Sequence, residues 1–217
     1  MKRTTAVVAS VATLALIASL AGCKVVPNSF KGEPVTEDRA VTTFDSIELR
    51  GVGDITVVAG DKFSLSVRAD KSAIAGVRTN VEGTTLVISE DTKATNGRVE
   101  IVIHAPTLSS VEVLGAGSIT VSGLDVERFA IAVAGAGDAT VSGRATTVVA
   151  VLSGAGSIDA SGLAGTNVTA RLTGVGSLSL DASETLDAEL GGVGDITYSG
   201  EPVVTSKVSG VGQVKHA

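Results

Sequence analysis

The sequence predicts an all-β protein, a parallel β-helix of about nine coils. One observation is a phrase that occurs seven times: Gly, then Ala or Val, then Gly, then Asp, Ser or Gln. The other is the alternation of aliphatic and polar residues around each copy, which is typical of strands. A unit this short cannot bury an apolar face alone, so copies must stack. The copies begin at Gly51, Gly115, Gly135, Gly154, Gly174, Gly192 and Gly210.

Aligning the copies on their first glycine gives columns of aliphatic residues that we expect to point inward. Two residues before that glycine stand Leu49, Val113, Val133, Leu152, Leu172, Leu190 and Val208. Four residues after it stand Ile55, Ile119, Ala139, Ile158, Leu178, Ile196 and Val214. From Gly115 onward the copies recur every 18 to 20 residues, so like residues should stack at about the 4.8 Å spacing of neighbouring strands.

The glycine pair within each phrase has two interpretations. It marks a bend that needs unusual backbone angles, or it continues the strand with both glycines facing a narrow interior. The unbroken even–odd alternation across the pair slightly favours the inward-facing interpretation. The sequence does not separate the two.

The first two copies are separated by a gap of 64 residues, from Gly51 to Gly115. Strand-like segments occur within it at 63–67, 85–89 and 99–104. Because the gap is about three repeat lengths, we expect three degenerate coils stacked between the two copies.

The N-terminus predicts export and a lipid anchor. Lys2 and Arg3 precede an apolar run over 6–20, which has the form of a secretory signal peptide. The run ends in Leu-Ala-Gly-Cys23, similar to the lipobox of bacterial lipoproteins, and Cys23 is the only cysteine. An ordinary signal peptide with a chance cysteine is the alternative. With Cys23 acylated the chain has no disulfide, and more than one acyl chain would hold it stably at a membrane.

Three regions follow from these observations: a lipoprotein signal peptide over residues 1–22, a flexible tether over 23–40 and a β-helix domain over 41–217. The tether assignment depends on Pro27, Pro34 and mixed charge between them.

The composition limits the classes of partner. The formal net charge is −6 and no basic run is present, so we expect neither nucleic-acid binding nor attraction to anionic lipid head groups. Aromatic residues make up 2% of the chain and Trp is absent, so the core must consist of Val, Ile, Leu and Ala.

Several segments together resemble a known family. They are Phe44–Val57, the central Val99–Pro106 and the later coils in which Gly-x-Gly is followed by Ser or Asp and an aliphatic residue. In order and spacing they are similar to the putative auto-transporter adhesin, head GIN domain family, from about Phe44 to Val214. The resemblance implies a β-helix fold and a bacterial cell-envelope location. It brings no established catalytic or ligand-binding residues.

The sequence predicts no catalytic residue, metal ligand or cofactor. His104 and His216 lack the Cys or second His that a zinc site needs, and a Gly-x-Ser-x-Gly elbow is absent. Asp54, Asp138 and Asp195 share one repeat position and suggest calcium, but other copies carry Ser or Gln there. We therefore expect these carboxylates to satisfy backbone groups at bends.

A column of hydroxyl residues five positions after the first glycine suggests an ice-binding face. It comprises Thr56, Thr120, Thr140, Asp159, Ser179, Thr197 and Lys215. Thr is also a favourable outward-facing residue in strands. Asp159 and Lys215 interrupt the column and favour this second interpretation.

The favoured functional hypothesis is a non-catalytic, lipid-anchored envelope protein whose β-helix presents a surface for adhesion or partner binding. Its partners would be the membrane, through Cys23, and an envelope glycan or protein; in a Gram-negative host it would face the periplasm or lie at the outer membrane. One alternative is a polysaccharide lyase or hydrolase, although the few aromatic residues that would stack on sugars are scattered. Another is a structural protein that associates end to end through exposed strand edges.

Overall fold

The computed structural model describes residue 30, residues 32–90 and residues 97–217. The predicted signal peptide, Cys23 and the first part of the predicted tether lie outside the described residues, so these predictions stay predictions.

The described chain consists almost wholly of strands, with one short 3-10 turn over Ile74–Gly76. In the regular repeats, the four strands that begin at Ala116, Ala136, Ala155 and Val175 have 16 to 18 residues each, and each continues around a corner of the solenoid. The strands are β1 (Pro34–Arg39), β2 (Ser46–Leu49), β3 (Val52–Ala59), β4 (Ser64–Asp70), β5 (Val77–Glu82), β6 (Thr85–Glu90), β7 (Val99–Ala105), β8 (Ser110–Val113), β9 (Ala116–Val133), β10 (Ala136–Leu152), β11 (Ala155–Leu172), β12 (Val175–Leu190), β13 (Val193–Ser199), β14 (Val203–Val208) and β15 (Val214–His216).

The architecture is a β-solenoid of about five turns. Successive repeats pair in parallel and in register, so that Gly137 lies beside Gly117 on one side and Gly156 on the other. The predicted aliphatic columns form the core: Ile158 is 1% exposed, and Leu152 and Leu178 are fully buried. The all-β parallel β-helix prediction is confirmed, whereas the prediction of about nine coils is wrong.

Three coils do not form between the copies at Gly51 and Gly115, because these copies stack directly on each other and part of the intervening segment forms antiparallel strands. β3 pairs directly with β9, with Gly53 beside Gly117. The segment instead lies on the other side of the first repeat, where β6 pairs with β2 and β7 pairs with β3. Alternation identified these residues as strands, but it carries no information about the side on which a strand is added.

Antiparallel strands complete this N-terminal end of the solenoid. β4 pairs with β7, β1 pairs with β4, and β5 forms a hairpin with β6. The 3-10 turn places Ile74 and the preceding Ala73 in the core cluster. We call β1, β4, β5 and this turn the N-terminal cap.

The strand β1 corrects the predicted tether, because residues 34–39 belong to the folded domain. Val35 packs against the core. The Arg39 side chain donates hydrogen bonds to the carbonyl oxygens of Val77 (2.6 Å) and Ile74 (3.2 Å). These contacts join β1 to the start of β5 and to the 3-10 turn. The domain therefore begins by residue 34 and not at residue 41.

The first glycine of each phrase lies at a bend, and in the first six copies the second glycine lies within the strand that follows. A Cβ atom on Gly154 would lie 2.0 Å from the carbonyl oxygen of Gly135, one turn below. Gly156 has a φ of +144°, which side chains rarely permit, and a Cβ there would lie 1.9 Å from the Gly137 oxygen. The residue between the glycines points to solvent, as Val175 does with 57% exposure. Glycine thus allows successive turns to approach closely at this corner.

Candidate binding surfaces

A second corner of the solenoid contains an open notch, which arises from unequal repeat lengths. The repeat that starts at Gly154 has 20 residues and the next, from Gly174, has 18. β11 and β12 pair evenly up to Ala160 and Leu180, after which the partner of Asp181 is Ala164. β12 therefore takes a shorter path around the corner than β11 and leaves a recess beside it.

The notch has a volume of about 270 Å³ and is lined by side chains from β9, β10, β11 and β12. Ala164 and Gly165 contribute no polar side chain to it. Around them stand hydrogen-bonding groups of both kinds, donors and acceptors. These polar lining residues are Asp125, Arg144, Thr146, Thr166, Asp181 and Ser183. We call this surface the polar notch.

Ion pairs and hydrogen bonds hold the rim of the polar notch. Arg144 Nη2 lies 3.2 Å from Asp125 Oδ2 on the neighbouring strand. Ser199 Oγ donates a hydrogen bond of 2.7 Å to Asp181 Oδ1. Ser183 Oγ donates one of 3.2 Å to the carbonyl oxygen of Gly165. One arginine and two carboxylates thus face a recess that is open to solvent.

The two notch carboxylates are too far apart to act as a hydrolytic pair. Asp125 is beside Arg144, Arg144 is beside Ala164, and Ala164 is beside Asp181. Three strand spacings correspond to about 14 Å between their backbones. Paired glycosidase carboxylates lie about 5 to 9.5 Å apart. The arrangement suits ligand binding better than glycoside hydrolysis.

The aspartates at the shared repeat position accept hydrogen bonds from the next turn. Asp138 Oδ1 accepts from the backbone nitrogen of Ser157 (2.9 Å) and from its hydroxyl group (2.6 Å). Asp195 Oδ1 likewise accepts from the backbone nitrogen of Gln213 at 3.0 Å. These two carboxylates accept from backbone groups of the next turn, whereas Asp54 Oδ1 accepts from the Ser118 hydroxyl group at 2.7 Å.

Asp195 also forms an ion pair with the last turn. Lys215 Nζ lies 2.7 Å from Asp195 Oδ2. The hydrogen bond from Lys215, followed by that from the Gln213 backbone, lowers the pKa of Asp195 below its ordinary value of 3.8. The charged form of this carboxylate is therefore the one that the fold favours.

The two histidines lie on different strands, whereas hydroxyl residues of the predicted column stack on one another. His104 lies exposed on β7, whereas His216 lies on β15, where its Nε2 is 2.9 Å from the Gly200 oxygen. Across residues 30, 32–90 and 97–217, no group of three or more potential metal ligands converges. The hydroxyl column stacks in register from Thr56 through Thr120 and Thr140, and Asp159 interrupts it.

The C-terminal end of the solenoid exposes residues that belong to core columns. β14 pairs with β12 and places Val204 beside Leu186 and Val208 beside Leu190. Leu186 is 1% exposed and Leu190 is fully buried, whereas Val204 is 37% and Val208 is 49% exposed. Within the described chain, β14 and β15 each pair along one edge. We call residues 201–217, which form this last turn, the terminal coil.

Comparison with known proteins gives the family. A family model described as "Putative auto-transporter adhesin, head GIN domain" matches residues 43–202. The chain belongs to this family. No curated protein matches the sequence. The match confirms the resemblance seen in the order and spacing of the sequence segments.

Solved structures show the same fold. A protein from Bacteroides fragilis named as a putative adhesin is 26% identical, with a TM-score of 0.71; the match covers 85% of this chain and 97% of that one. A protein from Parabacteroides distasonis named as a putative lipid binding protein is 22% identical, with a TM-score of 0.54, and the match covers 87% and 98% of the two chains. The second similarity concerns the fold alone.

Sequence reasoning missed the polar notch. The change in repeat length from 20 to 18 residues after Gly174 was visible in the sequence, and it indicates that one corner shortens there. It did not indicate which corner, because both sheet faces keep their register through the change.

For the described part of the chain, no helix has the length and apolar character of a membrane span.

Proposed function

We propose that this protein is a lipid-anchored, non-enzymatic adhesin of the bacterial cell envelope, which binds a hydroxyl-rich envelope ligand, a glycan, in the polar notch. Family membership and the adhesin name of the similar B. fragilis protein support the general role. The observation that carries the ligand class is the mixture of donors and acceptors from successive turns around a recess of about 270 Å³.

The position of the N-terminal cap supports the anchored arrangement. The Phe30 ring lies against the Arg68 guanidinium, with 4.5 Å from Cζ to the ring centroid, so the chain enters the fold at β4 in the cap. The residues from Cys23 to Phe30 extend at most about 25 Å. From β1 to β15 the sheet path crosses ten strands, about 43 Å at the usual spacing. An anchor at Cys23 would hold the cap close to the membrane and leave the terminal coil free to lie far from it.

The chemistry of the polar notch supports binding of a neutral, hydroxyl-rich ligand. Arg144 and the hydroxyl groups of Thr146 and Thr166 donate, while Asp125 and Asp181 accept. Arg144 is already paired with Asp125, so the one unbalanced charge of the lining is that of Asp181, which disfavours an anionic ligand. The separation of the two carboxylates disfavours the alternative of a polysaccharide hydrolase.

Replacing either of two exposed alanines with Trp tests the ligand site. Ala164 is exposed in the notch and Ala155 is exposed at the glycine corner, so Trp at either position leaves the core untouched. Binding of the full-length protein to immobilised envelope polysaccharides is the measurement. We expect Ala164→Trp to weaken binding at least about tenfold, a cost above 1.4 kcal/mol, and Ala155→Trp to bind as the wild type does. Equal binding by both variants, or no binding by the wild type, would contradict the proposal.

The lipid anchor has its own test. We expect Cys23→Ser to move the protein from the membrane fraction to the soluble fraction, because the acylated side chain is the proposed attachment. Fractionation and metabolic labelling with a fatty acid measure the two consequences. An unchanged membrane fraction and label would refute the anchor without affecting the notch.

A further inference from the structure

The terminal coil is a turn of the solenoid with one face of its core uncovered. Its inward-pointing residues Val204, Ser206 and Val208 continue the columns of Leu186, Ala188 and Leu190. All three residues of β12 are at most 1% exposed, and all three of β14 are exposed. An apolar ladder that ends in solvent, beside an unpaired strand edge, is a template for another strand.

We infer that the terminal coil is the contact surface of a symmetric dimer, in which β14 pairs antiparallel with β14 of a second copy of this chain. This inference is independent of the glycan proposal, because the polar notch lies at a corner between β9 and β12. A two-fold axis is the commonest symmetry of soluble oligomers and brings the same surface of both copies together. Two copies of one strand edge related in this way run antiparallel.

The sequence of β14 is self-complementary in one register. With Ser206 on the two-fold axis, Val204 faces Val208 of the second copy, and both lie on the core side of the sheet. Residues directly opposite in an antiparallel pair point to the same face. Ser206 faces its own counterpart. The dimer therefore continues the apolar columns across the interface and covers Val204 and Val208.

The charges on β14 are compatible with this register. Lys207 would face Thr205 of the second copy, so no like charges stand directly opposite. Lysines on edge strands often prevent pairing. Here Lys207 Nζ lies 3.2 Å from Glu189 Oε1 of the preceding turn, and Lys215 is held by Asp195 in the same way. Both lysine charges are thus already partnered on the outer face, away from the free strand edge.

The area available indicates a weak dimer. Residues 201–217 form the whole terminal coil, whereas a standard stable interface uses about 20 to 30 residues a side. We expect a dissociation constant on the order of micromolar, as for other small interfaces.

Disulfide trapping of the full-length protein tests the register directly. Residues opposite each other in antiparallel strands have Cα atoms about 4.5 to 5.5 Å apart, within the range that a disulfide bridges. We expect Ser206→Cys to form a covalent dimer in solubilised membranes under mild oxidation. Ser153→Cys is the matched control, since Ser153 is also exposed but lies at the glycine corner between β10 and β11. The wild type reports any background from Cys23.

The expected result is at least about tenfold more dimer from Ser206→Cys than from Ser153→Cys or the wild type. Adding Val208→Lys to Ser206→Cys should abolish the dimer, because it places a charge on the covered face. Equal cross-linking at both positions, no cross-linking at Ser206→Cys, or a disulfide to a different protein would overturn the inference. The far-ultraviolet circular dichroism spectrum of each variant distinguishes loss of pairing from loss of folding. If the two sites are independent, Ala164→Trp in the polar notch leaves the dimer unchanged.

Discussion

The two ends of the solenoid differ in how the core and the last strand edges are covered. At the N-terminal end, the antiparallel strands β1, β4 and β5 extend the two faces, and Ile74 is buried against the core. At the C-terminal end, β14 and β15 continue the parallel stack, and Val204 and Val208 remain exposed. A repeat protein needs a cap where stacking stops. Among the described residues, antiparallel strands cover the core at one end, while the last core columns stay exposed at the other.

The largest difference is expected from one substitution made at equivalent positions one turn apart. Leu186→Asp buries an unpaired charge in the core, so we expect it to lower the free energy of unfolding by more than about 4 kcal/mol and to prevent folding. Val204→Asp places the same charge at the exposed end and should cost less than about 1 kcal/mol in dilute solution. Chemical denaturation measures both. Similar losses for the two variants would show that the terminal coil is not an open end.

A methyl group at the glycine corner should also have different effects in the middle and at the end. A Cβ on Gly174 would lie 2.0 Å from the Gly154 oxygen, and one on Gly210 would lie 2.0 Å from the Gly192 oxygen. Gly174 has turns on both sides, whereas the terminal coil has room to move outward. We expect Gly174→Ala to cost about 3 kcal/mol or more and Gly210→Ala clearly less.

Gly191 provides the control for this pair. The nearest atom to a Cβ there is 3.7 Å away, an ordinary contact. Gly191→Ala should change the melting temperature by less than about 2 °C, because an exposed substitution without strain is close to neutral. If Gly174→Ala were as mild as this control, close approach of the turns would not be the reason for glycine.

Removing one basic side chain from each end should show the same asymmetry on a smaller scale. Arg39→Ala leaves two backbone carbonyl oxygens of the N-terminal cap without their donor, so we expect a loss of about 1 to 3 kcal/mol. Lys207→Ala removes an exposed ion pair with Glu189 and should cost less than about 0.5 kcal/mol. Thermal unfolding of both variants checks the order. Equal losses of stability would show that the Arg39 hydrogen bonds in the cap contribute no more than the exposed ion pair of Lys207.

The smallest expected effect is a pH dependence at Asp195. Its pKa is lower in the folded protein, so its charged form stabilises the folded state above the ordinary pKa of 3.8. That contribution is lost as pH falls through the lower, folded pKa. We therefore expect wild type to melt above Asp195→Asn at pH 6 and the difference to disappear on acidification below pH 3.8. A constant difference across this range would contradict the ion pair with Lys215.

Periodicity was sufficient to predict the regular part of this fold, but topology required the structure. The aliphatic columns at Ile158 and Leu190 followed from alternation and from the recurring glycines, because both faces of a stacked strand are specified by its period. The placement of β6 and β7 did not follow, since a strand with the right period can be added on either side of the first repeat. The tether was overextended to include β1 because Pro34 resembles a linker residue yet is tolerated at a strand's start.

The functional surfaces were less accessible to sequence reasoning for a related reason. The polar notch depends on a difference in length between two corners, and residues such as Asp125 and Asp181 are far apart in the sequence and occupy no shared repeat column. The open end was anticipated as an exposed strand edge. Its extent became visible only when Val204 was compared with Leu186 in the same column.

Hydrogen exchange of the full-length protein over a range of concentrations tests the difference between the two ends most directly. At low concentration we predict rapid exchange of the β14 amides that face away from β12, and slow exchange of β12 and of β4 within the cap. As concentration rises, β14 should become protected while β4 stays unchanged. Protection of β14 equal to that of β12 at the lowest concentration, or no change with concentration, would contradict an open end that is closed by a second copy.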